Sequence, residues 1–239
     1  MPRLLKPVLF TGAAVLASLA LVAGHGARSS QAAAAPSGPV PPAMVDEAPH
    51  AGLEAAVVSG GCFWGVQGVF EHVRGVRQVV AGYAGGAAAS AHYEMVSTGQ
   101  TGHAESVKIT FDPSQISYGE ILRIFFSVAT DPTQVGGQFP DEGSQYRSEI
   151  FYLDPKQQDV ARHYIAQLNE AKVYSRPIAT RVDRYSGFFP AEAYHQDYLV
   201  RHPDSAYIAA YDLPKVARLK ALFSAQYRAS PVLTLASAG

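Results

Sequence analysis

At Gly60-Gly61 the hydrophobic pattern changes its period, and that break constrains the fold more than any other stretch of the chain. Before it, Ala55-Ala56-Val57-Val58 is a short apolar run, β-branched toward its end, which predicts a buried strand over residues 53–59. After it, Trp64, Val66, Val69, Phe70 and Val73 recur at helical spacing and stop before Gly75. A strand that becomes a helix across two glycines must turn sharply, and the residue at the turn is Cys62. It is the single cysteine of the chain. Cys62 therefore forms no disulfide within the chain and shares no metal with other thiols; it is an inert buried side chain, a thiol bonded to a partner, or a nucleophile. At a helix start, unpaired N–H groups and the positive dipole end are expected to lower its pKa.

Downstream, the same reasoning gives strands at 76–83, 105–111 and 149–153, with a helix opened by Ser117 and carrying Ile121, Leu122, Phe125 and Phe126. The order is β-α-β-β-α-β. This predicts an α+β fold with a ferredoxin-like core, a mostly antiparallel sheet with helices on one face. A further helix is expected over 155–172, and the remainder, including 191–200 and 214–223, reads as C-terminal helices and long coil wrapped around the core.

The ends read differently. Arg3 and Lys6 precede an apolar run of 16 residues, Val8 to Ala23, followed by a small-residue cleavage context near Ala34. Residues 1–35 are accordingly expected to be a secretory signal peptide, although a run only just short of the roughly 20 residues of a membrane span also fits an uncleaved anchor. Residues 36–50, rich in Pro and Ala without periodicity, are expected to be a flexible leader, 51–227 the folded domain, and 228–239 a disordered tail. The mature chain is thus expected to be exported, periplasmic or secreted, with no membrane contact. Without Arg3, Lys6 and Arg28 the chain carries 16 basic and 20 acidic residues, which speaks against nucleic acid as a partner.

Polar clusters gather at the loops. Glu105 stands where a long excursion re-enters a strand; it is either a solvated strand end or a partly desolvated carboxyl whose pKa is raised toward proton donation. Asp141, Tyr146 and Arg147 share a glycine-containing turn, and His195 lies in an aromatic-lined segment with Tyr194 and Tyr198. The eight histidines show no ligand spacing, and no dinucleotide or phosphate loop occurs, so neither a metal site nor a nucleotide cofactor is indicated.

Taken together, Gly61-Cys62-Phe63-Trp64-Gly65, Gly82-Tyr83-Ala84-Gly85-Gly86, Thr101-Gly102-His103-Ala104-Glu105, Asp131-Pro132-Thr133, Gln145-Tyr146-Arg147-Ser148 and Ala191-Glu192-x-Tyr194-His195-Gln196 resemble the A-type peptide-methionine (S)-S-oxide reductase family. The resemblance extends from about residue 56 to residue 227. It implies that Cys62 attacks a sulfoxide sulfur, that Glu105 supplies the proton, and that the hydroxyls of Tyr93 and Tyr146 hold the sulfoxide oxygen. Phe63 and Trp64 would hold the substrate's methyl group, Asp141 would organise the site and His195 would line it. The product would be methionine, free or in a protein, and a Cys62 sulfenic acid.

Two departures accompany the resemblance. Ile208 stands near the place where many members carry a resolving cysteine, so an external thiol reductant, thioredoxin-like, glutaredoxin-like or small, is implied, with no bound cofactor and a monomeric enzyme. Phe139 stands where the family more often has glycine. Two rival readings use the same residues: a cysteine hydrolase pairing Cys62 with His195, and a non-catalytic module that merely binds oxidised methionine.

Overall fold

A computed structural model describes residues 36–235; the expected signal peptide lies outside them. The glycine break does what the pattern requires. Strand β1 (Glu54–Gly60) ends at Gly61, and helix α1 (Phe63–Glu71) begins directly after Cys62. Gly61 has φ +97°, and a Cβ there would stand 2.8 Å from Gln138 Cβ, so the turn needs glycine on both counts.

The chain continues through β2 (Val76–Ala84), the short helix α2 (Tyr93–Val96), β3 (Ala104–Phe111) and α3 (Tyr118–Ile124). Ser117 caps α3, its hydroxyl accepting from Glu120 N at 3.2 Å. A π-helical turn, Phe125–Ala129, prolongs α3. A two-residue hairpin pair, β4 (Gly137–Gln138) and β5 (Asp141–Glu142), leads into β6 (Ser148–Tyr152) and α4 (Pro155–Glu170). Then come β7 (Arg181–Arg184), β8 (Phe188–Pro190), α5 (Tyr198–Arg201), a second π-helical turn (Ile208–Asp212) and α6 (Leu213–Leu222).

One six-stranded sheet, in the order β7-β6-β1-β3-β2-β8, organises the molecule. Its pairs are antiparallel except β6 with β7, so the sheet is mixed. The two outer strands were expected as coil. They are short, β7 is Arg-Val-Asp-Arg, and β8 ends in proline, so neither carries the apolar alternation that marks a strand. The helices pack on one face: Phe63, Val66 and Phe70 of α1 share a core with Ile121, Leu122, Tyr164, Leu168 and Leu219. Burying each large side chain there contributes about 1.5–3 kcal/mol. The other face is covered by a smaller cluster around Val57, Ala84, Ala104 and Phe151, against which Tyr185 and Phe188 pack.

Residues 191–200, expected as part of the C-terminal helices and coil, hold a single turn, Ala193–His195, and the start of α5, separated where Asp197 adopts φ +55°. Two expectations are corrected. Residues 36–50, expected to be a flexible leader, are seated on the domain. Val40 is buried and donates to Ser127 Oγ (3.1 Å), Arg123 Nε donates to Val40 O (2.8 Å), and Tyr164 OH donates to Pro41 O (2.6 Å). Asp46 accepts from Gly119 N at 2.8 Å. The strap is recognised largely through its backbone, which is why no side-chain period announces it. Residues 228–235, expected to be disordered, are likewise bound: Arg228 N donates to His72 O (2.8 Å), and Thr234 N and Leu235 N donate to the two oxygens of Asp197 (2.9 Å each).

Candidate active site

Cys62 occupies the N-cap of α1 and is 8 % exposed. Its pKa moves opposite to the expectation from helix position. Burial pushes the thiol well above its usual value, and the carboxyls of Glu105 and Asp212 push the same way; the Trp64 N–H and Lys215 oppose them. The resting sulfur is therefore a protonated thiol. Full desolvation outweighs the ends of a nine-residue helix.

Glu105, at the start of β3, is buried, and its Oε2 accepts from the backbone N–H of Phe63 at 3.0 Å. Burial raises its pKa to about 8, the Phe63 N–H partly offsets this, and Asp141 and Asp212 add to it. At neutral pH the carboxyl holds a proton beside the thiol. Of the two sequence readings, a solvated strand end and a desolvated acid, the structure shows the second.

Tyr93 and Tyr146 reach the same spot from α2 and from the turn Ser144–Tyr146. Burial raises both phenols, and Glu105, Asp141 and Cys62 all contribute. Neither hydroxyl bonds another described residue. The turn carrying Tyr146 is fixed to the loop leading to Glu105 by Arg147, which donates to Gly102 O (3.0 Å), His103 O (3.1 Å) and Ser144 O (2.9 Å) and pairs with Glu149. One guanidinium thus ties the proton-bearing strand to the phenol.

Phe63 and Trp64 form the wall beside the sulfur. Phe63 is buried against Tyr83 (ring centroids 5.8 Å apart) and His195 (5.0 Å). Trp64 stacks on Tyr198 at 3.8 Å and 10°, and meets Tyr207 edge-on at 6.1 Å. Its Nε1–H donates to His195 Nδ1 at 3.1 Å. The other ring nitrogen of His195 lies 3.9 Å from Glu192 Oε2, and burial lowers the imidazole's pKa, so the ring is neutral. Neither nitrogen bonds Cys62, which removes the geometry a cysteine hydrolase needs. His195 lines the wall instead. Gln196 fastens that segment to β2, accepting from Ala81 N (3.0 Å) and donating to Ala81 O (2.9 Å).

Further groups surround these, among them Tyr207 and Asp212, which the sequence did not single out. Glu192 joins Tyr83 OH (2.8 Å) to Tyr93 N (2.9 Å), and so positions α2. Asp141 accepts from the hydroxyl of Tyr207, and burial raises its pKa. Asp212 is fully buried and pairs with Lys215 Nζ at 3.1 Å. A Cβ on Gly65 would stand 2.0 Å from Asp212 Oδ1, so the second glycine of the turn motif exists to admit this carboxylate. Ile208, near the expected place of a resolving cysteine, is buried at the start of the second π-helical turn. Among the described residues one group of possible metal-ligand atoms, from Glu47, His50 and Glu54, comes within 4.8 Å, at the end of β1 opposite to Cys62.

The family sequence model for peptide methionine sulfoxide reductase matches residues 54–227. This chain belongs to that family. A relative from Mesorhizobium japonicum, peptide methionine sulfoxide reductase MsrA 2, is 54 % identical over 193 residues, covering 81 % of this chain and 99 % of its own. A Synechocystis protein of the same description is 51 % identical, covering 74 % and 83 %. Among solved structures, methionine sulfoxide reductase A of Corynebacterium diphtheriae superposes with TM-score 0.55 at 31 % identity, covering 71 % of this chain and 88 % of that one. Mxr1 of Saccharomyces cerevisiae in reduced form gives 0.58 at 26 %, covering 68 % and 92 %. The fold of this family is a curled mixed sheet with helices, as found here.

Proposed function

We propose that this member reduces the S-epimer of methionine sulfoxide, free or in proteins, through Cys62 and Glu105. Family membership gives the chain its reaction, the reduction of methionine sulfoxide to methionine in protein repair. The observation that carries the residue roles is the buried, proton-holding carboxyl of Glu105 bonded to Phe63 N, next to the only thiol. A sulfoxide oxygen leaves only if protonated, and its sulfur accepts electrons only from a nucleophile. Cys62 supplies the nucleophile, and Glu105, bonded to the residue that follows Cys62, supplies the proton.

The steps balance without any cofactor. Glu105 hydrogen-bonds and then protonates the sulfoxide oxygen as Cys62 Sγ attacks the sulfur, and the thiol proton passes to the Glu105 carboxylate. The bond formed between Sγ and the methionine sulfur breaks again as the protonated oxygen passes from that sulfur to Sγ, so the methionine S–O bond is lost, methionine leaves and Cys62 remains as sulfenic acid; the sulfoxide is reduced and the thiol oxidised by two electrons. The hydroxyls of Tyr93 and Tyr146, which bond no other described residue, donate to the sulfoxide oxygen and hold it for that proton. Phe63 and Trp64 hold the methyl group on the other side of the sulfur, with His195 keeping the indole in place and Asp141 organising Tyr207. Oxygen and methyl then point to chemically opposite walls, which selects one epimer.

With no second cysteine in the chain, a thiol from outside must resolve the sulfenic acid: one thiol forms a mixed disulfide and releases water, and a second regenerates Cys62. A thioredoxin-like, glutaredoxin-like or small thiol fits that role, and the enzyme is read as a monomer. The central strands β6-β1-β3-β2 are read as a ferredoxin-like core, extended at both edges. The charged start and apolar run of residues 1–35 support export to the periplasm or beyond.

The test is mass spectrometry of the protein after one turnover with each epimer and no reductant. One added oxygen on Cys62 with the S-epimer alone is the expected result. Unmodified Cys62, or full activity in Cys62→Ser, would sink the reading.

A further inference from the structure

We infer that a recess beside Cys62 is a subsite for an apolar side chain adjacent to the oxidised methionine of a polypeptide substrate. The inference rests on the sulfoxide reading above and deepens it. The recess is a cavity of about 190 Å³ that reaches from Cys62 to Phe139 and Tyr211. Phe63, Trp64, Tyr93, Glu105 and Tyr146 take no part in its lining, so it is distinct from the wall that holds the sulfoxide. Asp141 and Tyr207, bonded to each other, stand at its border with that wall.

Its chemistry is apolar by elimination of its polar groups. Phe126, Val128, Ala129 and Tyr174 contribute walls. Gln138 both donates to Asp131 O (2.8 Å) and lets Asp131 N donate to it (2.9 Å), while Gln134 accepts from Phe139 N (2.8 Å) and donates to Asp131 Oδ2 (3.1 Å). Lys215 is held by Asp212, and Arg218 donates to the carbonyls of Ser127 and Pro36. Thr130 Oγ1 has no partner among the described residues, but it packs against Gly60. A polar ligand would find these groups occupied, whereas an apolar one displaces water from the walls.

The rim names the occupant. Phe139 is 68 % exposed, an uncommon place for a phenyl ring, and meets Tyr211 edge-on at 6.0 Å and 80°. The ring sits on a fixed loop, tied by Phe139 N and by the β4–β5 pairing, so it is presented rather than loose. Val135, 76 % exposed, lies in the same loop. The residues that flank a methionine sulfoxide in a polypeptide lie one Cα step, about 3.8 Å, from its own Cα. With the sulfur at Cys62, the side chain of such a neighbour is the part of the substrate within reach of a recess lined by the same Cys62. Continuity of the recess with the reacting thiol is what points to a residue of the same substrate rather than to a separate ligand.

The test compares kcat/KM for blocked tripeptides with a central S-methionine sulfoxide flanked by Leu or by Ser, with free S-methionine sulfoxide as the internal reference. The expected preference for Leu over Ser is about tenfold, the discrimination that one hydrophobic pocket supplies. Phe139→Gly and Tyr211→Ser are each expected to reduce that preference to about threefold or less. Equal rates for the two peptides on the unmodified enzyme overturn the subsite, and so does a preference that both variants leave intact. Reduction of free methionine sulfoxide without any peptide preference refutes the subsite alone; reduction of none of the substrates would take the reductase reading down with it.

Discussion

The backbone N–H of Phe63 donates to Oε2 of Glu105 across 3.0 Å, so the residue that follows the thiol also aims the acid. The pair couples the strand-to-helix turn to the start of β3. Displacing either end would separate the thiol from this carboxyl.

Replacing Glu105 by Gln keeps the shape and the contact to Phe63 and removes the transferable proton. The single-turnover rate of methionine formation is expected to fall roughly 10²- to 10⁴-fold with little change in KM. The unmodified enzyme should also lose activity as pH rises through about 8, because the folded pKa of Glu105 is raised from 4.5 to about that value and the acid is protonated only below it. A kcat/KM profile that stays level to pH 10, or an unaltered profile in Glu105→Gln, contradicts the assignment.

Glu71 gives a stability prediction of known sign. It is fully buried with Asp197 as its charged neighbour, and burial first, then Asp197, raises its pKa from 4.5 to about 9. The folded state therefore keeps a proton that the unfolded state has lost between those two values, so folding weakens as pH climbs from about 4.5 to about 9. In Glu71→Gln this slope should vanish. Melting at pH 5.5 and 8.5 is the measurement; a Tm advantage of the variant that does not grow with pH rules the idea out.

Gly65→Ala places a methyl 2.0 Å from Asp212 Oδ1, in a packed and charged neighbourhood. A loss of about 1–3 kcal/mol or more in denaturant titration is expected, accompanied by slower turnover because the Asp212–Lys215 pair sits close to Cys62. A neutral substitution would show that the turn has slack.

Val40→Ala removes two buried methyl groups from the strap over α3 and α4, at about 0.8 kcal/mol per group or somewhat more. Chemical denaturation should register a loss of about 1.5–2 kcal/mol. No loss would return residues 36–50 to the status of a free leader.

What the sequence could show depended on where its signal lay. Period and glycine placement revealed β1, α1 and the thiol at their junction, because a switch of period is a property of neighbouring side chains. The family resemblance carried by the ordered motifs marked Glu105, Tyr93, Tyr146, Phe63 and Trp64, and the structure brings them together. It could not show Tyr207, Asp212 or Lys215, whose part depends on a π-helical turn folding back over α1, a contact with no local pattern. The strap was invisible for a related reason: apart from Asp46, its bonds are made largely by backbone atoms, which every residue carries alike. The thiol's pKa went astray because helix position is local, whereas burial among Glu105 and Asp212 is set by the tertiary structure.

The strap also bears on the order in which the molecule comes together. Arg218 of α6 holds the carbonyl of Pro36, and Val40 rests on the turn that follows α3. The first described residues thus wait for a helix 182 residues further along the chain. Closing so long a loop adds little to its entropic cost, which grows only with the logarithm of length, but contacts of such sequence separation slow folding. A chain threaded through a membrane before folding would complete this contact only after its C-terminal helix had crossed.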